Sequence, residues 1–253
     1  MLKYLMVVGM LQINNLTIKS MDDHTEILKD FDLTINDGEI HVLMGPNGIG
    51  KSTICKALLS DPNYEKCSGT IVYNGTDITH LSTTDISRLG IGMISQSPIA
   101  IEGVTNAEML RMALSTKAKE QIDIFAFQKK VKEICNKISL PESFIHRDIN
   151  SGASGGERKK IELLHVWMLT PSFLILDEID SGLDVDALKV VANSLKEYHE
   201  TYNCSILLVT HNTKLLDILK PDVVHIVKNK KIVKSGDMSL TKLIEKEGFN
   251  SIN

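Results

Sequence analysis

The sequence predicts an α/β fold whose core sheet is mainly parallel, and three observations support this class. Apolar segments of strand length alternate with segments of helical periodicity, as is typical of parallel sheets. The apolar run Ile40 to Met44 passes through a glycine-rich loop into a helical segment that begins near Ile54. Between about Asn106 and Ile145 the spacing is helical, which indicates a helical insert between two halves of the core.

The first part of the chain is rich in predicted strands. Apolar and polar residues alternate from Gln12 to Ile18 and again from Phe31 to Ile35. A third strand, Gly69 to Tyr73, ends at Asn74-Gly75, a dipeptide typical of hairpin turns. An apolar run from Ile91 to Ser95 ends at Gln96. We therefore expect an antiparallel β subdomain beside the core sheet.

The α/β pattern returns after Asn150. The spacing predicts helices over Glu157 to Leu169 and Asp184 to His199, strands over Phe173 to Leu176 and Ser205 to Val209, and a hairpin formed by Val223 to Val227 and Lys231 to Lys234. In the insert, apolar residues at three- to four-residue intervals predict one helix: Phe127, Val131, Ile134, Cys135 and Ile138.

The predicted organisation is a single domain over residues 10–253, preceded by a short extension over residues 1–9. Residues 10–96 and 165–253 are expected to form the catalytic core lobe with the β subdomain, and residues 97–164 the helical subdomain. No internal repeat or low-complexity linker interrupts the pattern.

Composition excludes several classes of function. Hydrophobic residues make up 43% of the chain and charged residues 24%, and the net charge of −4 gives no reason to expect a nucleic-acid surface. No apolar stretch reaches the ~18–20 residues of a membrane helix, so we expect no direct membrane insertion. The four cysteines, which form no C-x-x-C pair, are expected to be reduced in a cytoplasmic protein: Cys55, Cys67, Cys135 and Cys204.

The glycine-rich loop carries the strongest chemical signal. Its nine residues fit the phosphate-loop pattern G-x-x-x-x-G-K-[ST]: Gly45, Pro46, Asn47, Gly48, Ile49, Gly50, Lys51, Ser52 and Thr53. Glycines let backbone N–H groups turn toward an anion, and the helix that follows presents the positive end of its dipole. We expect Lys51 to bind the outer phosphates and the Ser52 hydroxyl to be a ligand of Mg²⁺. The alternative is a turn that merely joins strand to helix.

Two carboxylates follow a second apolar strand. Phe173 to Leu176 leads directly into Asp177 and Glu178, and the carboxyl end of a strand is where an α/β sheet places charge in a ligand crevice. Asp177 is a candidate to hold magnesium, and Glu178 points elsewhere and could polarise an attacking water.

A second candidate anion site precedes the helix at Glu157. Ser154, Gly155 and Gly156 could bind phosphate at the helix N-terminus, although on its own this pattern is more typical of a simple N-cap. Two phosphate-binding helix starts in one chain suggest a composite site between two subunits.

Together these residues resemble the ordered motifs of ATP-binding-cassette ATPases, over nearly the whole chain from about Met10. The matching positions are the loop Gly45 to Thr53 (Walker A), Gln96 (Q-loop), Ser154 to Glu157 (signature), Asp177-Glu178 (Walker B), Ser181 to Asp184 (D-loop) and His211 (H-loop).

The resemblance implies a cassette that closes head-to-tail on a second copy in an ATP-dependent manner. ATP would lie between the Lys51 loop of one copy and Ser154 of the other, with Gly155, Gly156 and Asp184 close to it. Glu178 and His211 would be the catalytic residues. Ser52, Gln96 and Asp177 would hold Mg²⁺.

Within this family, four stretches resemble the SufC ATPases of the SUF iron–sulfur cluster assembly system. They are Asp177 to Val191, Lys220 to His225, Lys231 to Asp237 and Gly155 to Lys160. That resemblance implies SufB/SufD-type scaffold proteins as partners, docked on the helical insert and the stretch Gln96 to Met112.

The chain departs from the family pattern in three places. Residues 18–24 offer only His24 where an aromatic residue usually stacks on adenine, Ala153 replaces a larger apolar residue, and residues 1–9 have no counterpart. Two alternatives to a scaffold ATPase remain: the ATPase subunit of a membrane transporter, and a non-enzymatic nucleotide-dependent or DNA-repair clamp. The spacing from Lys51 to Ser154 leaves no room for the long coiled coil of such clamps.

Overall fold

A computed structural model describes residues 10–249, so the predicted extension over residues 1–9 lies outside the described residues. The chain divides into two compact units. Unit 1 comprises the residues up to Leu89, Ser205–His211 and the residues from Lys220 onward; unit 2 comprises Gly90–Cys204 and Asn212–Leu219. No helix within residues 10–249 is both long enough and apolar enough to span a bilayer.

The strands and helices are as follows. The strands are β1 (Leu11–Ser20), β2 (Glu26–Ile35), β3 (Ile40–Met44), β4 (Tyr64–Tyr73), β5 (Thr76–Asp77), β6 (Ile91–Ile94), β7 (Ile101–Thr105), β8 (Asp148–Ile149), β9 (Phe173–Asp177), β10 (Ser205–Val209), β11 (Val223–Lys228) and β12 (Lys231–Gly236). The helices are α1 (Lys51–Leu58), α2 (Thr83–Arg88), α3 (Asn106–Ala118), α4 (Ile124–Lys137), α5 (Gly155–Leu169), α6 (Val185–Tyr202), α7 (Thr213–Leu219) and α8 (Ser239–Glu247), with a 3₁₀ turn at Glu142–His146.

Unit 1 contains an antiparallel sheet and a set of mainly parallel strands. The antiparallel sheet has the order β2-β1-β4-β5. In the second set, β3 pairs in parallel with both β10 and β11, and β12 pairs antiparallel with β11. In unit 2, β6 pairs in parallel with β9, and the short strands β7 and β8 are antiparallel. The predicted α/β class, with parallel core strands and a separate antiparallel sheet, is confirmed.

A bulge in β1 shows how the antiparallel sheet keeps one face buried. Leu11 and Ile13 are buried, but the next buried residues, Leu16 and Ile18, fall out of a strict two-residue period. The register shifts between Ile13 and Leu16, where Asn15 takes a positive φ of 48°. Because the bulge adds one residue, Leu16 and Ile18 point to the same buried face of the sheet as Leu11 and Ile13. Opposite it, a Cβ on Gly69 would lie 2.5 Å from the Asn15 carbonyl oxygen, so only glycine fits there.

Unit 2 packs its helices around α5. The Trp167 indole N–H donates to the Ser194 hydroxyl on α6 (2.9 Å), which satisfies the polar atom of a nearly fully buried ring. The Lys137 ammonium at the end of α4 lies 3.9 Å from the centroid of a Trp167 ring. These contacts fix α4, α5 and α6 relative to one another, and α5 carries at its N-terminus one of the candidate site residues.

Two buried histidines link β3 to β11 in unit 1. His41 Nδ1 lies 2.9 Å from His225 Nε2, and the outer nitrogens of the pair lie 2.8 Å from Glu39 Oε2 and 2.7 Å from Ser235 Oγ. Burial, together with the neighbouring His41, lowers the pKa of His225 to about 4.

The low pKa of His225 makes unit 1 sensitive to acid. In the unfolded chain a histidine takes up a proton below about pH 6.5, whereas His225 in the folded chain resists it down to about pH 4. The contribution of His225 is therefore fully present above pH 6.5 and is lost as the pH falls, by about 2 kcal/mol at pH 5. We expect His225→Gln to flatten this acid limb in urea unfolding between pH 7.5 and 5. The exposed His80, changed to Gln, is the control; parallel curves for His225→Gln and the parent would contradict the assignment.

Candidate functional site

The glycine-rich loop joins a fully buried strand to a helix, as the sequence predicts. All five residues of β3 are buried, and α1 begins at Lys51. Gly50 is the N-cap of α1 with a positive φ of 105°, and a Cβ there would lie 2.9 Å from the Leu28 side chain. Only glycine takes this conformation readily, and it leaves the first N–H groups of the helix uncovered by a cap side chain. The loop therefore ends in a helix start that suits an anion.

The start of the loop is equally restricted. A Cβ on Gly45 would lie 2.4 Å from the Val227 carbonyl oxygen of β11, which cannot move without disturbing the sheet. Pro46, Asn47 and Gly48 are exposed, so the loop rises from a tightly packed base into solvent. A glycine-rich backbone loop of this kind, joined to a helix start, suits a phosphate group.

Lys51 lies inside this cradle. Only 5% of the residue is exposed, and its ammonium donates to the carbonyl oxygens of Gly45 (2.7 Å) and Pro46 (3.0 Å). Ser52 is half-buried and Thr53 is buried. A positive charge is thus held at the base of a loop whose N–H groups favour an anion, and a triphosphate suits both features.

Unit 2 places the two carboxylates at the end of β9. Asp177 is the last residue of the strand and is 2% exposed. Glu178 follows with a positive φ of 46°, a conformation that is uncommon for a residue other than glycine and that often marks a functional site. Asp177 is buried and Glu178 is half-buried, and the division of roles between them stays a prediction.

Gln96 and Glu178 are brought into direct contact. The Gln96 amide Nε2 donates to Glu178 Oε2 at 2.7 Å, although 82 positions separate them in the chain. β6 and β9 are parallel neighbours, so their carboxyl ends deliver both residues to the same edge. An exposed carboxylate held by an amide can accept a proton from a water while its direction stays fixed.

Ser154 is the N-cap of α5. Its hydroxyl accepts from the Glu157 N–H (3.4 Å) and the Glu157 carboxylate accepts from the Ser154 N–H (2.8 Å), which together form a capping box. Gly155 and Gly156 occupy the first turn. Ser154 is exposed, so the simple N-cap and the anion site are compatible interpretations of the same helix start.

Asp184 and His211 have contacts that the sequence does not predict. The Asp184 carboxylate caps α6 by accepting from the Ala187 N–H at 2.8 Å. His211 follows β10, and its ring lies edge-on to that of Phe249 with centroids 5.8 Å apart. Nothing in the sequence links these two rings, because their contact depends on where the chain turns after α8.

The predicted site residues divide between the two units. The loop from Gly45 to Thr53 and His211 belong to unit 1. The residues of unit 2 are Gln96, Ser154, Gly155, Gly156, Asp177, Glu178 and Asp184. The proposed magnesium ligands Ser52, Gln96 and Asp177 supply hydroxyl, amide and carboxylate oxygens, which suit Mg²⁺. Within residues 10–249, no group of three or more His, Cys, Asp and Glu side chains is arranged to hold a metal ion.

Sequence reasoning missed two buried charged residues beside Gln96. Lys159, with 3% of its side chain exposed, and Glu162 lie one turn apart on α5, with Lys159 Nζ 3.3 Å from Glu162 Oε2. Burial raises the pKa of Glu162 to about 7, against the opposing effect of Lys159. A signal was available: Lys159 stands four residues before the buried Leu163 and therefore on the inner face of the helix.

Comparisons with known proteins agree with this geometry. A family model described as ABC transporter matches residues 28–181, and a model described as AAA domain, putative AbiEii toxin, Type IV TA system matches residues 150–217. The probable ATP-dependent transporter ycf16 of Cyanophora paradoxa is 42% identical over 247 residues, which cover 96% of this chain and 94% of the relative. The chloroplastic ABC transporter I family member 6 of Arabidopsis thaliana is 39% identical over 97% of this chain and 74% of its own length.

A solved structure shows the same fold at lower identity. The ATP-binding cassette MJ0796, described as a dimer in a post-hydrolysis state bound to ADP and Pi, superposes with a TM-score of 0.78 and 20% identity over 90% of this chain and 99% of its own. The chain belongs to the ABC transporter family and is an ATP-binding ATPase.

Proposed function

We propose that this chain is a SufC-type ATPase that works in the cytoplasm and uses ATP hydrolysis to change the conformation of a SUF iron–sulfur cluster assembly scaffold. The observation that carries the chemical part is the cradle around Lys51, together with the 2.7 Å bond between Gln96 and Glu178. The four stretches that resemble SufC support the assignment of the scaffold. The four cysteines form no disulfide within residues 10–249, which suits a reducing compartment.

The residues of the loop would hold the triphosphate. Backbone N–H groups from Gly48 to Ser52 and the Lys51 ammonium would bind the β- and γ-phosphates. Magnesium, when bound to Ser52, Gln96 and Asp177, would offset charge on the phosphates.

Glu178 would act on the attacking water. It accepts the proton of the water as the new O–P bond forms at the γ-phosphorus and the bond from that phosphorus to the ADP oxygen breaks. Gln96 orients the carboxylate through its amide, and His211 would bind the γ-phosphate. Each of these roles is tested by a change in turnover at saturating ATP.

Two copies would be needed for hydrolysis. Ser154, Gly155 and Gly156 are at the start of α5, where exposed N–H groups and a hydroxyl could bind the γ-phosphate held by the Lys51 loop of a second copy. ATP would then stabilise the closed head-to-tail pair, and hydrolysis would release it. Such a cycle converts the free energy of hydrolysis into movement of whatever is attached to the two copies.

The helical part of unit 2 offers a docking surface for the scaffold. A cleft of about 610 Å³ lies among α3, α4 and the 3₁₀ turn, with Phe125 and Ile124 exposed on its wall. Arg111, Lys129 and Lys132 also line this cleft, against one carboxylate, that of Glu142. An acidic segment with apolar side chains would match both the charge and the apolar wall.

Arg111→Glu tests the scaffold assignment. We expect this exposed residue, when reversed in charge, to weaken capture of a soluble SufB/SufD-type scaffold in affinity purification of the native complex. ATP hydrolysis by the isolated chain should be unchanged. Glu108 is a poor probe, because its carboxylate completes the capping box of α3 with Thr105. Lys242→Glu, an exposed cation on α8, is the matched control. Unchanged scaffold capture by Arg111→Glu would count against this surface.

The second candidate is the ATPase subunit of a membrane transporter. It is favoured by the names of the relatives, which include probable ATP-dependent transporter and probable ABC transporter ATP-binding protein. The same purification separates the two: an integral membrane protein as the preferred partner would support the transporter and overturn the scaffold.

A further inference from the structure

Two side chains of α5 bind the backbone N–H and the backbone carbonyl oxygen of Ser95. Glu162 Oε1 accepts from the Ser95 N–H at 3.2 Å, and the Lys159 ammonium donates to the Ser95 carbonyl oxygen in a short contact. Lys159 also donates to the Gln96 carbonyl oxygen at 3.3 Å. These are backbone groups immediately after β6, where the chain leaves the sheet and a strand neighbour no longer pairs with them.

The hydrogen-bonding capacity of Lys159 is fully used by this arrangement. Its three N–H donors are matched by Ser95 O, Gln96 O and Glu162 Oε2. A buried ammonium with three acceptors and a paired carboxylate has a narrow range of positions, because any shift leaves a charge unpaired. The position of the loop after β6 is therefore fixed by its hydrogen bonds to α5.

A further side chain, that of Asn150, binds the backbone of the same loop. The Asn150 amide Nδ2 donates to the Ile99 carbonyl oxygen at 3.0 Å, and Asn150 is 4% exposed. The segment that carries Ser154 thus holds the loop at Ser95, at Gln96 and at Ile99. Gln96, whose amide donates to Glu178, lies within this stretch.

We propose that Lys159 and Glu162 are positioning residues for ATP hydrolysis. By binding the Ser95 N–H and the Ser95 and Gln96 carbonyl oxygens, they fix the position from which the Gln96 amide holds the Glu178 carboxylate. This inference rests on the proposed roles of Gln96 and Glu178. It adds that the helix with Ser154 at its start also aligns the carboxylate of its own copy. Neither Lys159 nor Glu162 touches the reacting atoms.

The decisive variant is Lys159→Met/Glu162→Met. Replacing both members of a buried ion pair by apolar residues of similar size is often neutral for stability, whereas removing one leaves a buried charge. The double variant should therefore fold, with a melting temperature lowered by a few degrees because the Ser95 and Gln96 backbone groups lose their partners. We expect kcat for ATP to fall by about 10- to 100-fold, as for a slight misplacement of a catalytic group. The affinity for a fluorescent ATP analogue in the absence of Mg²⁺ should stay within about threefold, because the Lys51 loop belongs to unit 1, and kcat should fall by a larger factor than KM rises.

A coupling experiment separates positioning from general disturbance. If Lys159 and Glu162 act through Gln96, then adding Gln96→Ala to the double variant should lower kcat little further. Independent, multiplying losses would overturn the proposal, as would a double variant with the parent kcat. Lys160→Met is the matched control, because the Lys160 ammonium donates to the Ser139 carbonyl oxygen at 2.9 Å and makes no contact with Ser95 or Gln96. The kcat of this variant should be unchanged.

A second variant of Glu162, and a comparison with Glu178→Gln, complete the test. If the double variant does not fold, Glu162→Leu serves instead: it removes the acceptor of the Ser95 N–H while Lys159 keeps the Ser95 and Gln96 carbonyl oxygens, and a parent kcat in this variant would overturn the proposal. Failure of the proposed function differs from failure of the positioning roles, because in the first case Glu178→Gln would hydrolyse ATP at the rate of the parent. An inactive Glu178→Gln beside fully active Lys159 and Glu162 variants would refute the positioning roles alone.

Discussion

Glu178→Gln is expected to slow ATP hydrolysis by about 10²–10⁴-fold while ATP binding is retained. Glutamine has nearly the same shape and still accepts the hydrogen bond from Gln96, but it cannot take a proton from water. The positive φ of 46° at this position is equally available to either residue, so the backbone should not change. Single-turnover hydrolysis, with ATP binding measured separately, gives the two quantities.

The same variant should accumulate a closed pair of copies in the presence of ATP and Mg²⁺, because the step that releases the pair is blocked. Size-exclusion chromatography with and without ATP detects this shift. Glu200→Gln, which weakens only an exposed pair with Lys196 at 3.9 Å, is the control and should hydrolyse ATP normally. Parent-like turnover in Glu178→Gln would show that another group acts on the water.

Lys51→Ala is expected to weaken ATP binding by between about 10-fold and 100-fold, the range for the loss of charge-assisted hydrogen bonds. The ammonium is buried at the base of the loop, bonded to the Gly45 and Pro46 carbonyl oxygens, so its removal takes away both a phosphate ligand and a restraint on the loop. Equilibrium titration with a fluorescent ATP analogue measures the change.

Lys56→Ala provides the comparison within the same helix. Lys56 is exposed in the last turn of α1, and its loss should leave the affinity unchanged. A thermal melt of Lys51→Ala shows whether the loop still folds. Affinity equal to that of the parent, in a folded Lys51→Ala protein, would exclude the assigned role of the loop.

The strands and helices of the core could be predicted because their signals are local. β3, β9 and β10 are short runs that are buried throughout, and each stands where the apolar residues place it. The loop could be predicted because its glycines and Lys51 fall at a fixed spacing in strand–loop–helix context. The contact of Gln96 with Glu178 follows from the parallel neighbours that carry them.

The rest depends on packing between distant segments. The short pair β7 and β8 and the helices α2 and α7 have too few residues to predict, whereas the nine-residue α8, with Leu240 and Ile244 buried four positions apart, was missed although its pattern is helical. β4 begins at Tyr64, before the predicted Gly69, because it pairs with β1 as far as Ser20. The spacing of Lys159 from Leu163 indicates an inward-facing residue, but only the fold shows that the backbone at Ser95 is the partner of Lys159 and Glu162.

The central claim is that ATP is bound between two copies of this chain, each of which supplies part of the pocket. A crystal structure of Glu178→Gln with ATP and Mg²⁺ tests it most directly. We predict that the γ-phosphate held by Lys51 of one copy is contacted by Ser154 of the other. A nucleotide enclosed by a single copy, with Ser154 remote from any second copy's nucleotide, would contradict the account.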